Sequence, residues 1–158
     1  MPDTPRRDRD DDGRPRNARP RDALGRPLPP GSQGVPQLPE DLNLSPDETL
    51  ALAQQLLDDG RAFSAHEVFE AAWKSGPDDE RSLWQGLAQL AVGITHIQRG
   101  NPTGGQSLLR RSAKRLSEAE PRYGIDVTAL IGFAGALADD LAAGTEIPAA
   151  RLRPLLQR

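Results

Sequence analysis

The 158-residue chain contains no cysteine. Disulfides, thiolate metal ligands and cysteine nucleophiles are therefore excluded. Aromatic residues are scarce, at 4% of the sequence, so leucine and alanine must supply most of any core. No charge of one sign dominates. A net charge of -3 gives no general attraction to nucleic acid or to anionic membranes. Long apolar runs are missing too. The longest stretch without a charged residue, Ser82 to Gln98, holds three glutamines and a histidine. It reads as a buried helix and not as a membrane span. The N-terminal MPDTPRRDRDDDGRPR has no apolar segment, so no signal peptide is expected, and a cytoplasmic location follows as the expectation. With 36% hydrophobic and 27% charged residues, the composition suits one domain plus an extension.

The extension is at the N-terminus. Nine of the fifteen prolines lie in the first forty residues, with eight arginines, seven acids and almost no large apolar side chains. Such a segment buries too little apolar surface to offset its ordering entropy. Residues 1–41 are therefore expected to be a disordered tail. Its charges are mixed and nearly balanced, which does not make a basic arm.

Helical periodicity begins at Leu42. In SPDETLALAQQLLDDG, Ser45 is placed as an N-cap, Pro46 at the first helical position and Glu48 where a capping box requires it. Leu50, Ala53, Leu56 and Leu57 form one apolar stripe, and Gly60 ends the helix. The same grammar predicts a second helix with Ser64 as N-cap and Glu67 closing a capping box, ending at Ser75 to Pro77. A third helix spans about Asp79 to Arg99, and a fourth opens at Asn101-Pro102 and reaches about Ala119. A fifth follows Asp126, with a short sixth in IPAARLRPLLQR. No strand is apparent. The expected fold is all-α: a compact bundle of five to six helices built from antiparallel hairpins, over residues 42–148, with 149–158 as a short extension.

The third helix is expected at the centre. Its apolar residues spread around most of the circumference, the signature of a helix buried on most sides. With Leu83 at zero, Gln85, His96 and Gln89 fall at about 200°, 220° and 240°, a single polar stripe. Gly86 and Gly93 lie beside it, where small residues permit close approach by a neighbouring helix and leave room for a small ligand. A faint similarity between GRAFSAHEVFEAAW and GNPTGGQSLLRRSAKRL resembles the helix-turn-helix unit of solenoid repeats, but two copies make no array.

The candidate site is HEVFE, His66 to Glu70. The helical zinc signature places two histidines one turn apart. Here the second position is Glu70, so one nitrogen ligand is missing. Di-iron bundles use Glu-x-x-His with further inward carboxylates, whereas the third helix supplies none. No metal and no cofactor is therefore expected. In an antiparallel hairpin turning at residues 76–79, His66 comes to lie across from Gln89, and Glu70 across from Gln85. These four residues then form a polar cluster between two apolar helices. A closed network of this kind fixes helix register. Glu67 and His96 are secondary candidates, Glu67 for its place at a helix start and His96 as a further ionisable group on the third helix. The fourth helix projects Arg110, Arg111, Lys114 and Arg115 to one side, with no aromatic platform or recognition motif, so nucleic acid is not the expected partner.

The run G-x-x-F-x-x-H-E-x-x-E-x-x-W, Gly60 to Trp73, followed by QGLAQLAVGITHIQRGN at Gln85 to Asn101, resembles the domain-of-unknown-function family 309. The similarity covers about residues 45–145. It implies a small all-helical bacterial or archaeal protein and brings no catalytic residues with it. The reading is a binding or interaction module for a protein or small-molecule partner, compatible with a homo-oligomer. The alternative is a small hydrolase-like or metal-assisted enzyme using His66 and Glu70.

Overall fold

The computed structural model describes Leu24, Arg26 and residues 43–158. The disordered tail expected over residues 1–41 otherwise lies outside the described residues. Five helices follow in order: α1 (Pro46–Asp58), α2 (Ala62–Ser75), α3 (Arg81–Gln98), α4 (Pro102–Ser117) and α5 (Val127–Ala142). Short 3-10 turns occupy Asp78–Glu80 and Ala149–Leu152. The all-α architecture expected from the sequence is the architecture observed.

Most helix ends follow their local chemistry. Glu48 N donates to Ser45 Oγ at 3.2 Å, and Ser45 N donates to Glu48 Oε1 at 3.0 Å, which closes the capping box of α1. Gly60 takes a left-handed conformation, φ +77°, at the end of that helix. Gly60 N then donates to Leu57 O at 3.0 Å and Arg61 N to Leu56 O at 2.8 Å, a Schellman arrangement. Asn101 Oδ1 caps α4 through Gly104 N, and Asp126 Oδ1 caps α5 through Ala129 N, each at 3.2 Å.

One helix start departs from expectation. Ser64 is not the N-cap of α2. The helix begins at Ala62, Arg61 takes the cap position with no side-chain cap bond, and Ser64 is buried inside the first turn. The cause is the turn before it. Once the Schellman bonds have fixed Gly60 and Arg61, Arg61 O accepts from Ala65 N at 3.1 Å and helix resumes at once. Ala62 and Ala65 both bury on the core. Glu67 consequently lies in the second turn, half-buried, and closes no capping box.

The main packing runs between sequential neighbours, from α1 on α2 through to α4 on α5, and α3 sits in the middle. Leu83, Leu87, Leu90 and Ile94 of α3 are fully buried, as are Phe69 of α2 and Leu109 and Leu116 of α4. The α3–α4 contact is close because its residues are small. A Cβ on Gly86 would lie 2.7 Å from Leu116 Cδ2, and one on Gly93 would lie 2.9 Å from Leu109 Cδ2. Ser112 Oγ donates to Gly86 O at 2.7 Å in the same seam. The glycines thus admit a helix, as expected. They leave no room for a ligand, because Leu109 and Leu116 fill the space.

Residues 149–158 are part of this core and not an appendage to it. Leu152 and Leu156 are buried. Gln54 of α1 clamps the arm with both ends of its amide: Nε2 donates to Pro154 O, and Oε1 accepts from Leu156 N, each at 2.9 Å. Ile125 and Gln157 form the isolated antiparallel bridge of the described residues. Leu24 also reaches the domain, its carbonyl accepting from Arg99 Nε at 2.9 Å. Among the described residues, no helix is long and apolar enough to cross a membrane.

Candidate functional site

The face that α2 turns partly toward solvent carries Phe63, His66, Glu67, Glu70 and Trp73, all half-buried. His66 and Glu70 stand one turn apart and meet: Nε2 lies 3.0 Å from Glu70 Oε1. The His66 side chain is 16% exposed and that of Glu70 38%, so the pair sits at the rim of the core with one edge open to solvent. The His66 hydrogen bond, opposed by burial and assisted by the charges of His66 and Lys74, holds the Glu70 carboxyl below its ordinary range. An ionised carboxylate only accepts, so Nε2 of His66 carries the proton in their bond. Nδ1 is then an acceptor in the neutral ring and an N–H donor in the charged one. Phe63 flanks the ring, with centroids 5.3 Å apart, and carries the Arg99 guanidinium at 5.5 Å from its own centroid.

The facing helix brings Gln85 and Gln89, both half-buried. At the open end of the α2–α3 hairpin, Gln98 Nε2 donates to Gly60 O at 2.9 Å. That bond ties the end of α3 to the start of α2. His66 and Glu70 meet as expected, but among the described residues no hydrogen bond joins either of them to Gln85 or Gln89. Nδ1 of His66, Oε1 of Gln85 and Oε1 of Gln89 are all buried without a hydrogen-bond partner.

His96 belongs elsewhere. Its Nδ1 lies 3.1 Å from Asn101 Nδ2, at the turn into α4. Burial, and then the Arg99 charge, hold it below the usual histidine range. The hydroxyls that could serve as nucleophiles are committed to structure. Ser75 Oγ donates to Ala71 O, Thr95 Oγ to Ala91 O and Ser112 Oγ to Gly86 O, while Ser64 accepts from Arg61. Among the described residues, no group of three or more His, Asp or Glu could hold a metal ion.

Residues 50–108 match the family model described as a domain of unknown function, DUF309. This segment is similar to that family. No curated protein and no solved structure matches the chain. The DUF309 segment runs from α1 into α4, less than the 45–145 expected, and it contains the whole His66–Glu70–Gln85–Gln89 seam.

A second polar cluster escaped the sequence reading. Glu80 is 5% exposed, yet both its oxygens are engaged. Trp84 Nε1 donates to Oε1 at 3.1 Å and Tyr123 OH to Oε2 at 2.7 Å. The two rings stack with centroids 6.0 Å apart. Tyr123 occupies the left-handed region, φ 58°, the one non-glycine residue to do so among those described. The bond to Glu80 holds its phenol above the ordinary range. The available signal was the four-residue spacing of Glu80 and Trp84; the Tyr123 partnership spans 43 residues and has no local signature.

Proposed function

We propose that the protein is a binding module whose site is the α2–α3 seam of the DUF309 segment, formed by His66, Glu70, Gln85 and Gln89. One observation carries this reading: His66 stands against the Glu70 carboxylate, and its Nδ1 and the Oε1 atoms of Gln85 and Gln89 on the facing helix are buried without a hydrogen-bond partner. A buried polar atom left without a hydrogen bond costs about 1–3 kcal/mol. Such atoms are costly to a fold and of use to a site that takes up a ligand. The half-exposed edge of the His66–Glu70 pair gives a ligand its approach.

The His66–Glu70 pair also favours a second reading. A carboxylate orienting an imidazole is the arrangement of a general base. Catalysis of a hydrolytic kind would then use water as the nucleophile, since Ser75 and Thr95 donate to backbone carbonyls and Ser64 is buried against Arg61.

Leucine substitutions test the binding reading. Gln85→Leu and Gln89→Leu each remove an unpaired acceptor at similar volume. Each should raise stability to chemical denaturation by about 1 kcal/mol. If both variants lose stability instead, the amides are structural and the proposal fails.

A further inference from the structure

An open cleft of about 370 Å³ lies where the loop before α5 meets the C-terminal arm. Pro121, Ile125 and Val127 give it apolar walls, Arg122 and Arg158 line it with guanidinium groups, and Thr128 adds a hydroxyl. We infer that this cleft is a second binding site, for a small carboxylic acid with an apolar body, held as its anion. The cleft lies beyond the residues 50–108 matched to DUF309. Its volume falls within the range of small-molecule sites, roughly 300–1,000 Å³. No acidic residue lines it. Arg122 commits one nitrogen, Nη2, to Asp79 at 2.8 Å and Glu120 at 3.3 Å. Both carboxylates are exposed, and exposed ion pairs contribute little, so they compete weakly for Arg122. Arg158 reaches Asp126 only at 3.4 Å. Among the described residues, Nη1 of either guanidinium has no hydrogen-bond partner. The neighbouring acceptors are already engaged. The carbonyls of Arg122, Tyr123 and Gly124 accept from Ile125 N, Gln157 Nε2 and Arg158 N, and the Tyr123 hydroxyl donates to Glu80. What the cleft offers is therefore cationic N–H donors beside apolar walls. A guanidinium keeps its charge in proteins, so this polarity depends on no protonation state. A carboxylate is the planar acceptor that fits a guanidinium with two parallel bonds. A cation would be repelled, a neutral apolar molecule would leave the donors unused, and inorganic phosphate would leave the apolar walls unused.

Benzoate has both features, and each control removes one: benzamide lacks the charge, acetate lacks most of the apolar body, and inorganic phosphate has charge without an apolar body. The full-length protein would be titrated with each while backbone amide resonances are followed by NMR. Benzoate should shift the amides of Gly124, Ile125 and Thr128 saturably and leave those of Gly60 and Gly100 in place. Benzamide should bind about tenfold more weakly, the loss expected when a charged acceptor becomes neutral. Acetate and phosphate should also bind more weakly than benzoate. Arg158→Gln removes one guanidinium from a side chain that is 75% exposed, so the fold is kept, and circular dichroism checks this. It should weaken benzoate about tenfold, and Arg122→Gln repeats the measurement on the second guanidinium. Arg111→Gln, on α4 and outside the cleft, should leave benzoate binding unchanged. A benzoate titration that moves none of the three amides overturns the site. Benzamide binding as tightly as benzoate shows that charge is not read and overturns the carboxylate assignment. Acetate or phosphate binding as tightly as benzoate shows that the walls contribute nothing and overturns the apolar body. Benzoate affinity unchanged in both Arg158→Gln and Arg122→Gln, or lowered as much in Arg111→Gln, overturns the role of the two guanidinium groups. None of these outcomes bears on the α2–α3 seam, which shares no residue with the cleft.

Discussion

Replacing Gly86 with alanine adds one methyl group at the closest approach of α3 and α4. In a helix interior this exchange is ordinarily favourable, by about 1 kcal/mol. Here the new Cβ would stand 2.7 and 2.8 Å from Cδ2 and Cγ of Leu116 and 3.3 Å from its backbone nitrogen. Carbon atoms pack best at about 3.5–4.0 Å. Leu116 is fully buried and cannot swing aside, so α4 must move away. Overpacking of this kind costs about 1–3 kcal/mol. The movement also stretches the 2.7 Å bond from Ser112 Oγ to Gly86 O, with about 0.5–1.5 kcal/mol at stake. The propensity gain is outweighed, and Gly86→Ala should destabilise by about 1–3 kcal/mol. Gly132 in α5 is the internal control. A Cβ there meets nothing within 4 Å, so Gly132→Ala should stabilise by about 0.5–1 kcal/mol. Urea denaturation of both variants, followed by circular dichroism, reads the two signs directly. A Gly86→Ala variant as stable as the parent would refute the close α3–α4 seam. A Gly132→Ala variant that loses stability would refute the use of propensity as the opposing effect.

Four further expectations follow from single sites. Tyr123 is the sole tyrosine, so tyrosinate absorbance should report its ionisation alone, with a midpoint above 10.0 in the folded protein and near the ordinary value in denaturant. Because the folded value is the raised one, the Glu80 bond stabilises fully below the unfolded value and is lost as pH rises through the folded one; Tyr123→Phe should abolish that alkaline dependence and cost about 1–3 kcal/mol. The Glu70 carboxyl is held low, so its contribution is present above the unfolded carboxylate range and is lost as pH falls through the folded value, and Glu70→Gln should flatten that part of the acid denaturation profile. Ser45→Ala should lower stability by about 1 kcal/mol, whereas Ser64→Ala, which removes no cap, should cost less. Leu24→Ala should lower the unfolding free energy by less than about 1 kcal/mol, since Leu24 borders a cavity of 360 Å³ with Gly60, Ile97, Ile147 and Leu152 while its carbonyl bond to Arg99 is kept.

Elements whose cause is local were legible from the sequence. Ser45, Pro46 and Glu48 mark the start of α1 because each acts within one turn, and Gly60, Gly100 and Gly144 mark stops because only a left-handed residue fits there. The central place of α3 was legible from its apolar circumference. Failure came where two local rules competed. Ser64 and Glu67 fit a capping box, but the Schellman turn at Gly60 had already fixed the chain and put Arg61 at the cap position. The arm after Pro148 looked like an extension because its anchor, the two-ended Gln54 amide, lies 100 and 102 residues away. At the candidate site, the meeting of His66 and Glu70 was legible from their spacing. The unmet acceptors were not, since equal reach from a turn gives a register and says nothing of whether each amide oxygen finds a donor.

The two carboxylate clusters bear on the proposed function by contrast. Glu80 and Glu70 both stand beside an aromatic residue on a helix that packs into the core. Around Glu80 the accounts are settled internally: the indole N–H takes one oxygen and the phenol O–H the other, and the carboxylate is almost wholly buried. Tyr123 accepts a left-handed backbone to make that bond, and a strain of this kind persists only when its surroundings hold it. The fold therefore can satisfy a buried carboxylate with long-range donors when stability is the purpose. Around Glu70 it does not. One oxygen is bonded to His66, and Nδ1 of that ring and the amide oxygens of Gln85 and Gln89 on the facing helix have no hydrogen-bond partner. The same chain thus completes one buried polar cluster and leaves the other open on its half-exposed side. That difference, within one core and one set of packing rules, supports the proposed site at His66 and Glu70 and gives Glu80 the role of a structural clasp between α3 and the loop before α5.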